Sequence, residues 1–200
     1  MITIGLTGSI GMGKSTVLAM FAEEGAMVWN ADDAVHRLYT KDAPGAVAVG
    51  ERFPGAIIDG AVDRDVLSKL VLDDAAALAD LEAIIHPLVS ADRADFLDNA
   101  ARDGADIAML DIPLLFEKSY EKFFDAVVVV SAPAETQKAR VMARPGMTEK
   151  KFRSILMKQT PDAEKRRRAD YVVNTGLSLG ATRQEVKAVT AALKARFSIS

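Results

Sequence analysis

Ile2-Thr3-Ile4-Gly5-Leu6-Thr7-Gly8-Ser9-Ile10-Gly11-Met12-Gly13-Lys14-Ser15-Thr16 joins an apolar run to a helical pattern through a glycine-rich loop. Residues 2–7 form a short apolar run, Gly8 to Gly13 break it with three glycines, and from Lys14 to Glu24 apolar residues return at three- and four-residue spacing. The order is therefore strand, tight loop, helix. The loop fits the pattern Gly-x-x-x-x-Gly-Lys-Ser, in which backbone N–H groups turn inward onto phosphates, so that a Cβ at Gly8 or Gly13 would obstruct the cradle. Lys14 then meets the β- and γ-phosphates of a nucleotide, Ser15 offers its hydroxyl to Mg2+, and the amino end of the helix adds a dipole that favours anions. A strand before the loop and a helix after it are the context that separates a phosphate-binding P-loop from a glycine-rich turn.

Beyond this segment, the runs Ala26–Trp29, Ile107–Leu110, Ala126–Ser131 and Tyr171–Val173 read as four further buried strands. Helical patterns over 133–143 and 178–197 alternate with them, which predicts a doubly wound α/β domain around a five-stranded parallel sheet, the three-layer P-loop NTPase type. Between the second and third strands lie about 75 residues, Ala31 to Asp106, too many for one crossover helix. They predict a helical insertion over about 32–104, with one helix over 74–85 and another starting at Pro87, where proline suits a first helical turn. A second insertion over about 141–167 holds the turn Arg144-Pro145-Gly146, Thr148 as an N-cap, a helix to Lys158 and a polar helix over 161–168. The remaining pieces, 1–31, 105–140 and 168–200, make the core of a single domain.

Charge is uneven along the chain. Residues 137–168 carry 11 Lys/Arg against 3 Asp/Glu, while residues 1–136 carry 10 against 23. Next to a phosphate cradle, a basic segment has a use as a lid. The formal net charge of only -3 gives nucleic-acid binding no general support. There is no cysteine, which excludes disulfides, thiolate metal sites and thiol nucleophiles. The first residues show no basic leader or cleavage site, and no apolar run approaches the roughly 20 residues of a membrane span. These features predict a cytoplasmic protein with no membrane partner, and leave oligomeric state open, a homo-oligomer included.

A P-loop serves switch GTPases, motor ATPases and small-molecule kinases alike. No Asn-Lys-x-Asp guanine-reading sequence is present, and two insertions flanking the sheet suit a kinase whose flaps exclude water. Asp32 lies just beyond the carboxyl end of the second strand, where a carboxylate can take the proton of an alcohol acceptor; the alternative is that Asp32 or Asp33 caps the following helix. Asp111 ends the third strand as a metal-side carboxylate would, or simply caps the next turn. Arg140 and Arg144, four residues apart, are expected on one helical face within reach of phosphates. His86 reads equally as an acceptor contact or a structural group, His36 as surface, and Trp29, Phe116 and Tyr120 as core residues or acceptor-pocket walls.

The order and spacing of Gly5–Thr16, Ala31-Asp32, Asp63-Arg64, His86-Pro87, Pro113-Leu114-Leu115-Phe116-Glu117, Gln137 with Arg140, Gln159, Ala169-Asp170 and Asn174 closely resemble the dephospho-CoA kinase family nearly end to end. The resemblance implies transfer of the ATP γ-phosphate to the ribose 3'-hydroxyl of dephospho-CoA, the last step of coenzyme A biosynthesis, with Mg2+. It implies that Gly8, Ser9, Ile10, Gly11, Met12, Gly13, Lys14, Ser15 and Thr16 hold the nucleotide, Ser15 with the metal. Lys14, Asp32 as base and Arg140 as a lid arginine carry catalysis, and Arg144 and Asn174 complete the nucleotide site. Asp32, His86, Pro87, Pro113, Leu114 and Leu115 belong to the acceptor side. Asn30 and Ser9 depart from residues common in the family. Two rivals remain: a nucleoside monophosphate kinase gripping a phosphate with some of Arg37, Arg52, Arg64, Arg93 and Arg102, and a regulator that hydrolyses ATP without a small-molecule acceptor.

Overall fold

β1 (Ile2–Thr7) is the central strand of a five-stranded sheet whose other members are β2 (Met27–Asn30), β5 (Ile107–Asp111), β6 (Ala126–Ser131) and β7 (Tyr171–Asn174), in the order β2-β5-β1-β6-β7. Parallel ladders pair Ile2 with Ile107, Ile4 with Ala126 and Val128 with Tyr171. Every residue of β5 and β6 is buried, as their uninterrupted apolar sequences require of strands covered on both faces. This computed structural model describes residues 1–199; the expected core piece 168–200 ends on Ser200, which lies outside the described residues.

The chain divides into two compact units, one formed by Met1–Val28 with the chain from Ala100 onward, the other by Trp29–Asn99. In the first, α1 (Lys14–Glu23) and α9 (Leu179–Arg196) join the sheet in one core, with Val17 and Phe21 of α1, Ile4 of β1, Val128 of β6 and Leu193 of α9 fully buried. Each such side chain contributes about 1.5–3 kcal/mol by leaving water. The same unit carries α6 (Ala134–Met142), α7 (Glu149–Met157) and α8 (Asp162–Arg168). Thr148 caps α7 by accepting from Lys151 N.

The second unit has a core of its own built from Leu38, Val49, Phe53, Leu67 and Ile85. Its elements are α2 (Ala31–Leu38), α3 (Pro44–Arg52), a two-stranded hairpin of β3 (Ile57–Ile58) and β4 (Ala61–Val62), α4 (Arg64–Val71) and α5 (Ala75–Arg102). The hairpin is too short for an alternating pattern to reveal it.

Two local expectations fail. α5 is one helix of 28 residues with Pro87 inside it, not two helices meeting there. Proline removes one backbone bond, but Ile84, Ile85, Leu88 and Val89 pack into the same core on both sides of it, and that burial outweighs the break. α2 is capped neither by Asp32 nor by Asp33 but by Asn30, whose Oδ1 accepts from Asp32 N at 2.7 Å and Asp33 N at 3.1 Å.

Candidate active site

Gly8 leaves β1 where the loop passes closest to β6: a Cβ there would lie 2.5 Å from Val130 O. Gly13 closes the loop with φ +88, a left-handed conformation that L side chains rarely adopt, and serves as N-cap of α1. Lys14 and Ser15 occupy the first turn of α1, Ser15 exposed, so free N–H groups, an ammonium and a hydroxyl gather at one helix end. Lys14 makes no ion pair among the described residues.

A loop that turns its N–H groups toward a ligand must satisfy its outward carbonyls elsewhere. Buried Gln137 of α6 donates from Nε2 to Ile10 O at 2.8 Å, and Gln159, between α7 and α8, accepts from Ile10 N at 3.1 Å. Thr175, the buried residue after β7, donates from Oγ1 to Met12 O at 2.6 Å. Met12 is itself buried, its Sδ accepting from Ala132 N at 3.1 Å. Ser9 is buried as well. The cradle is thus braced from β6, β7, α6 and the α7–α8 elbow.

Arg140 reaches the same brace, donating to Thr175 Oγ1 at 2.9 Å and Thr175 O at 2.7 Å. Together with Gly13, Thr16, Thr175, Leu177 and Leu179 it lines a cavity of about 260 Å³ beside the start of α1. A planar cation beside two leucines at the wall of a cavity next to a triphosphate cradle suits a flat heteroaromatic base. Arg144 does not share a helical face with Arg140: α6 ends at Met142, because the residue before Pro145 is driven out of the helical region, and Arg144 stands exposed in the turn.

Asn174 does not line the cavity that Arg140 borders. Its Oδ1 accepts from Gly176 N at 2.8 Å, and it borders a different cavity of about 300 Å³ with Ser131, Pro133, Asp162 and Arg166. Ser131 Oγ donates to Asp162 Oδ2 at 2.7 Å, tying the start of α8 to the end of β6.

After β5 the segment Pro113–Glu117 turns sharply, Leu114 adopting φ +59. Pro113 is exposed and Leu114 partly so, but Leu115 is fully buried against Gly5, so its side chain belongs to the core. Phe116 is buried too, with the Arg168 guanidinium 4.5 Å above its ring. Glu117 Oε1 accepts from Thr160 N at 2.6 Å and lies 3.0 Å from Nζ of Lys165, which is 0% exposed. Burial pushes the Glu117 carboxyl up, but the Lys165 ammonium and the Thr160 N–H outweigh it, leaving the group below its ordinary range. Arg168 also pairs with Glu121. The basic stretch expected to form a lid over 141–167 is therefore anchored along its second half.

In the second unit Asp32 is exposed in the first turn of α2. Trp29 is buried in front of it, donating from Nε1 to Asp92 Oδ1 at 2.7 Å, and Arg37 grips the same carboxylate with Nη2 at 2.6 Å and Nε at 3.3 Å. Burial would raise the Asp92 carboxyl, but these donors hold it below its ordinary range. Arg52 donates to Asp80 at 2.9 Å, so two of the five arginines considered for gripping an acceptor phosphate are already engaged. His86 and Pro87 are exposed on α5, and Pro87 borders an apolar cavity of about 360 Å³ with Ala48, Arg52, Ile84 and Leu88. His36 and Tyr120 are exposed.

Sequence reading missed Thr175 and Lys165: a threonine after a strand and a lysine in a polar helix carry no local mark, and both act on residues far away in the chain. Gln137, Gln159 and Glu117 stood in the family pattern without an assigned task.

A family model described as dephospho-CoA kinase matches residues 2–179. A dephospho-CoA kinase from Mesorhizobium japonicum is 58% identical over 189 residues, covering 94% of this chain and 95% of that protein. A crystal structure of a Thermus thermophilus protein superposes with a TM-score of 0.76 at 37% identity, covering 96% of this chain and 97% of that one. A dephospho-CoA kinase from Campylobacter jejuni shares the fold, with a TM-score of 0.68 at 23% identity and coverage of 95% and 96%.

Proposed function

Since the chain belongs to the dephospho-CoA kinase family, a kinase that phosphorylates dephospho-CoA with ATP in the final step of coenzyme A biosynthesis, we propose how its own residues divide that work. Gly8 to Thr16 form the triphosphate cradle, holding it by those backbone N–H groups that are not engaged within the protein as Ile10 N–H is, and Lys14 neutralises charge on the transferring phosphoryl group. The observation that carries this assignment is the braced cradle, with no room for a Cβ at Gly8 and with Lys14 and Ser15 at the head of α1.

Arg140 takes the base end of ATP, because its guanidinium is held by Thr175 at the wall of the cavity shared with Gly13 and Thr16. Arg144 and Asn174 act more peripherally, the first from the turn after α6. Asp32 takes the proton from the ribose 3'-hydroxyl as oxygen attacks phosphorus, and α2 holds that carboxylate through the Asn30 cap. His86, Pro87, Pro113 and Leu114 offer exposed surface to the acceptor, while Leu115 supports them from the core.

The donor set fits Mg2+. No group of three or more His, Cys, Asp or Glu side chains that could hold a metal ion by themselves occurs among the described residues, and Mg2+ in kinases is held by one or two protein oxygens, phosphates and water. Ser15 supplies the hydroxyl, with the buried Asp111 in register beside Leu6 at the end of β5. The ion, when bound with ATP, supplies positive charge to the phosphate oxygens.

The second proposal concerns place: no helix among the described residues is long and apolar enough to cross a membrane, in keeping with small-molecule substrates met in the cytoplasm. The test is ADP release with Mg-ATP in the presence of dephospho-CoA or of nucleosides and nucleoside monophosphates, with product masses recorded. Coenzyme A as the sole new product supports the assignment; phosphorylation of a nucleoside monophosphate in its place overturns it.

A further inference from the structure

The elbow between α7 and α8 touches the phosphate loop without contributing to it. Gln159 Oε1 accepts from Ile10 N at 3.1 Å, while Gln137 Nε2 donates to Ile10 O at 2.8 Å. One loop residue is thus held at its amide and at its carbonyl by side chains that are 149 and 127 residues away in sequence. A loop that must present several N–H groups in fixed directions gains from such a clamp, since a swing at Ile10 would re-aim the amides that follow it.

Gln159 can serve this role only if the elbow is fixed. Thr160, its neighbour, donates its N–H to Glu117 Oε1 at 2.6 Å, and the same carboxylate oxygen stands 3.0 Å from the buried Lys165 ammonium, one turn along α8. An ammonium out of water cannot leave the Glu117 carboxylate without a penalty of several kcal/mol, so α8 stays where Glu117 puts it. Ser131 and Asp162 add a second tie at the head of α8.

We propose that Gln159 is a positioning residue for the phosphate loop and that Glu117, through Thr160 and Lys165, fixes Gln159 in place. Glu117 stands in the segment after β5, so the register of the ATP cradle is set from the Pro113–Glu117 side of the first unit. The role is one of ground-state and transition-state alignment of the triphosphate, with neither residue touching the transferred phosphorus.

The experiment uses the full chain. Gln159→Ala removes the acceptor for Ile10 N–H while keeping a partly exposed position. It is expected to raise KM for MgATP by about 3- to 10-fold, the worth of one neutral hydrogen bond, with KM for dephospho-CoA unchanged and Tm lowered by no more than about 2–4 °C. Amide hydrogen exchange at Ile10, followed by 15N NMR, should accelerate by a similar factor. The paired substitution Glu117→Ala with Lys165→Met removes the acceptor of Thr160 N–H without stranding a buried ammonium, and it should reproduce the Ile10 exchange and the MgATP effect. Parent-like KM for MgATP and parent-like Ile10 exchange in Gln159→Ala overturn the role of Gln159. An effect in Gln159→Ala with none in the paired variant overturns the part given to Glu117.

Discussion

Replacing Gly8 with alanine tests the cradle at its tightest point. The added Cβ would lie 2.5 Å from Val130 O, whereas ordinary contact begins at 3.4 Å, so something must yield by about 0.9 Å. Val130 is fully buried in β6 and registered against Val173 of β7, so the strand backbone is held on its far side. The loop yields instead, and it carries the amides that face the phosphates. Displacements near 1 Å in a positioned site cost about 10²-fold in rate, while overpacking of this kind costs about 1–3 kcal/mol in stability. The expected outcome for Gly8→Ala is a fall of about 10²-fold in kcat/KM for MgATP with a cooperative thermal transition retained. Gly55→Ala is the control, since nothing lies within 4 Å of a Cβ there, and its kinetics should match the parent. Steady-state coupled assays and circular dichroism melts on both variants decide the matter. Turnover of Gly8→Ala within threefold of the parent would refute the steric argument, because the loop would then have room that the distance denies.

Asp32→Asn should retain ATP binding, measured by calorimetry, while phosphoryl transfer falls by about 10²- to 10⁴-fold; near-normal turnover removes Asp32 from the chemistry. Asn30→Ala strips the cap of α2 and should cost about 0.5–2 kcal/mol in urea unfolding, whereas Asp33→Ala, which caps nothing, should cost less. Glu117→Gln alone leaves the Lys165 ammonium buried without its counterion and should cost about 3–5 kcal/mol, most of it recovered when Lys165→Met is added. Because the Glu117 carboxyl is depressed in the fold, its contribution is complete above its ordinary value of 4.5 and is lost as pH falls further, through the folded value. The parent should therefore lose more stability than the paired variant when urea unfolding is repeated in acid, and equal losses would contradict the coupling.

The strand, loop and helix over 2–23 were legible because the glycine pattern and the change of hydrophobic period act within a few residues of one another. Length alone called for an insertion over about 32–104, since 75 residues between strands must fold somewhere, and the structure has a compact unit over Trp29–Asn99. Pro87 misled for the opposite reason: its local preference is real, but the apolar residues around it all pack into one core, and tertiary burial decides. Asn30 was read as a departure from a family pattern when its place before Ala31-Asp32-Asp33 is that of an N-cap. Arg140 was read as a lid arginine acting on the phosphates; its partner Thr175 was not picked out, because a bond spanning 35 residues leaves no trace in local spacing. The same holds for Lys165, whose burial contradicts everything a run of four basic residues suggests.

The division of the chain into units has a consequence for synthesis. The strand that carries the phosphate loop is made first, but its ladder partners begin at Ile107 and Ala126, about 100 residues later. At about 5–20 residues per second, β1 waits roughly 5 to 20 s for its neighbours. Trp29–Asn99 is contiguous and has its own core, so it can condense during that interval. The ATP cradle, which follows the first of these strands to be made, is then among the last features to acquire its shape, because Gln159 and Thr175 brace it across separations of 149 and 163 residues.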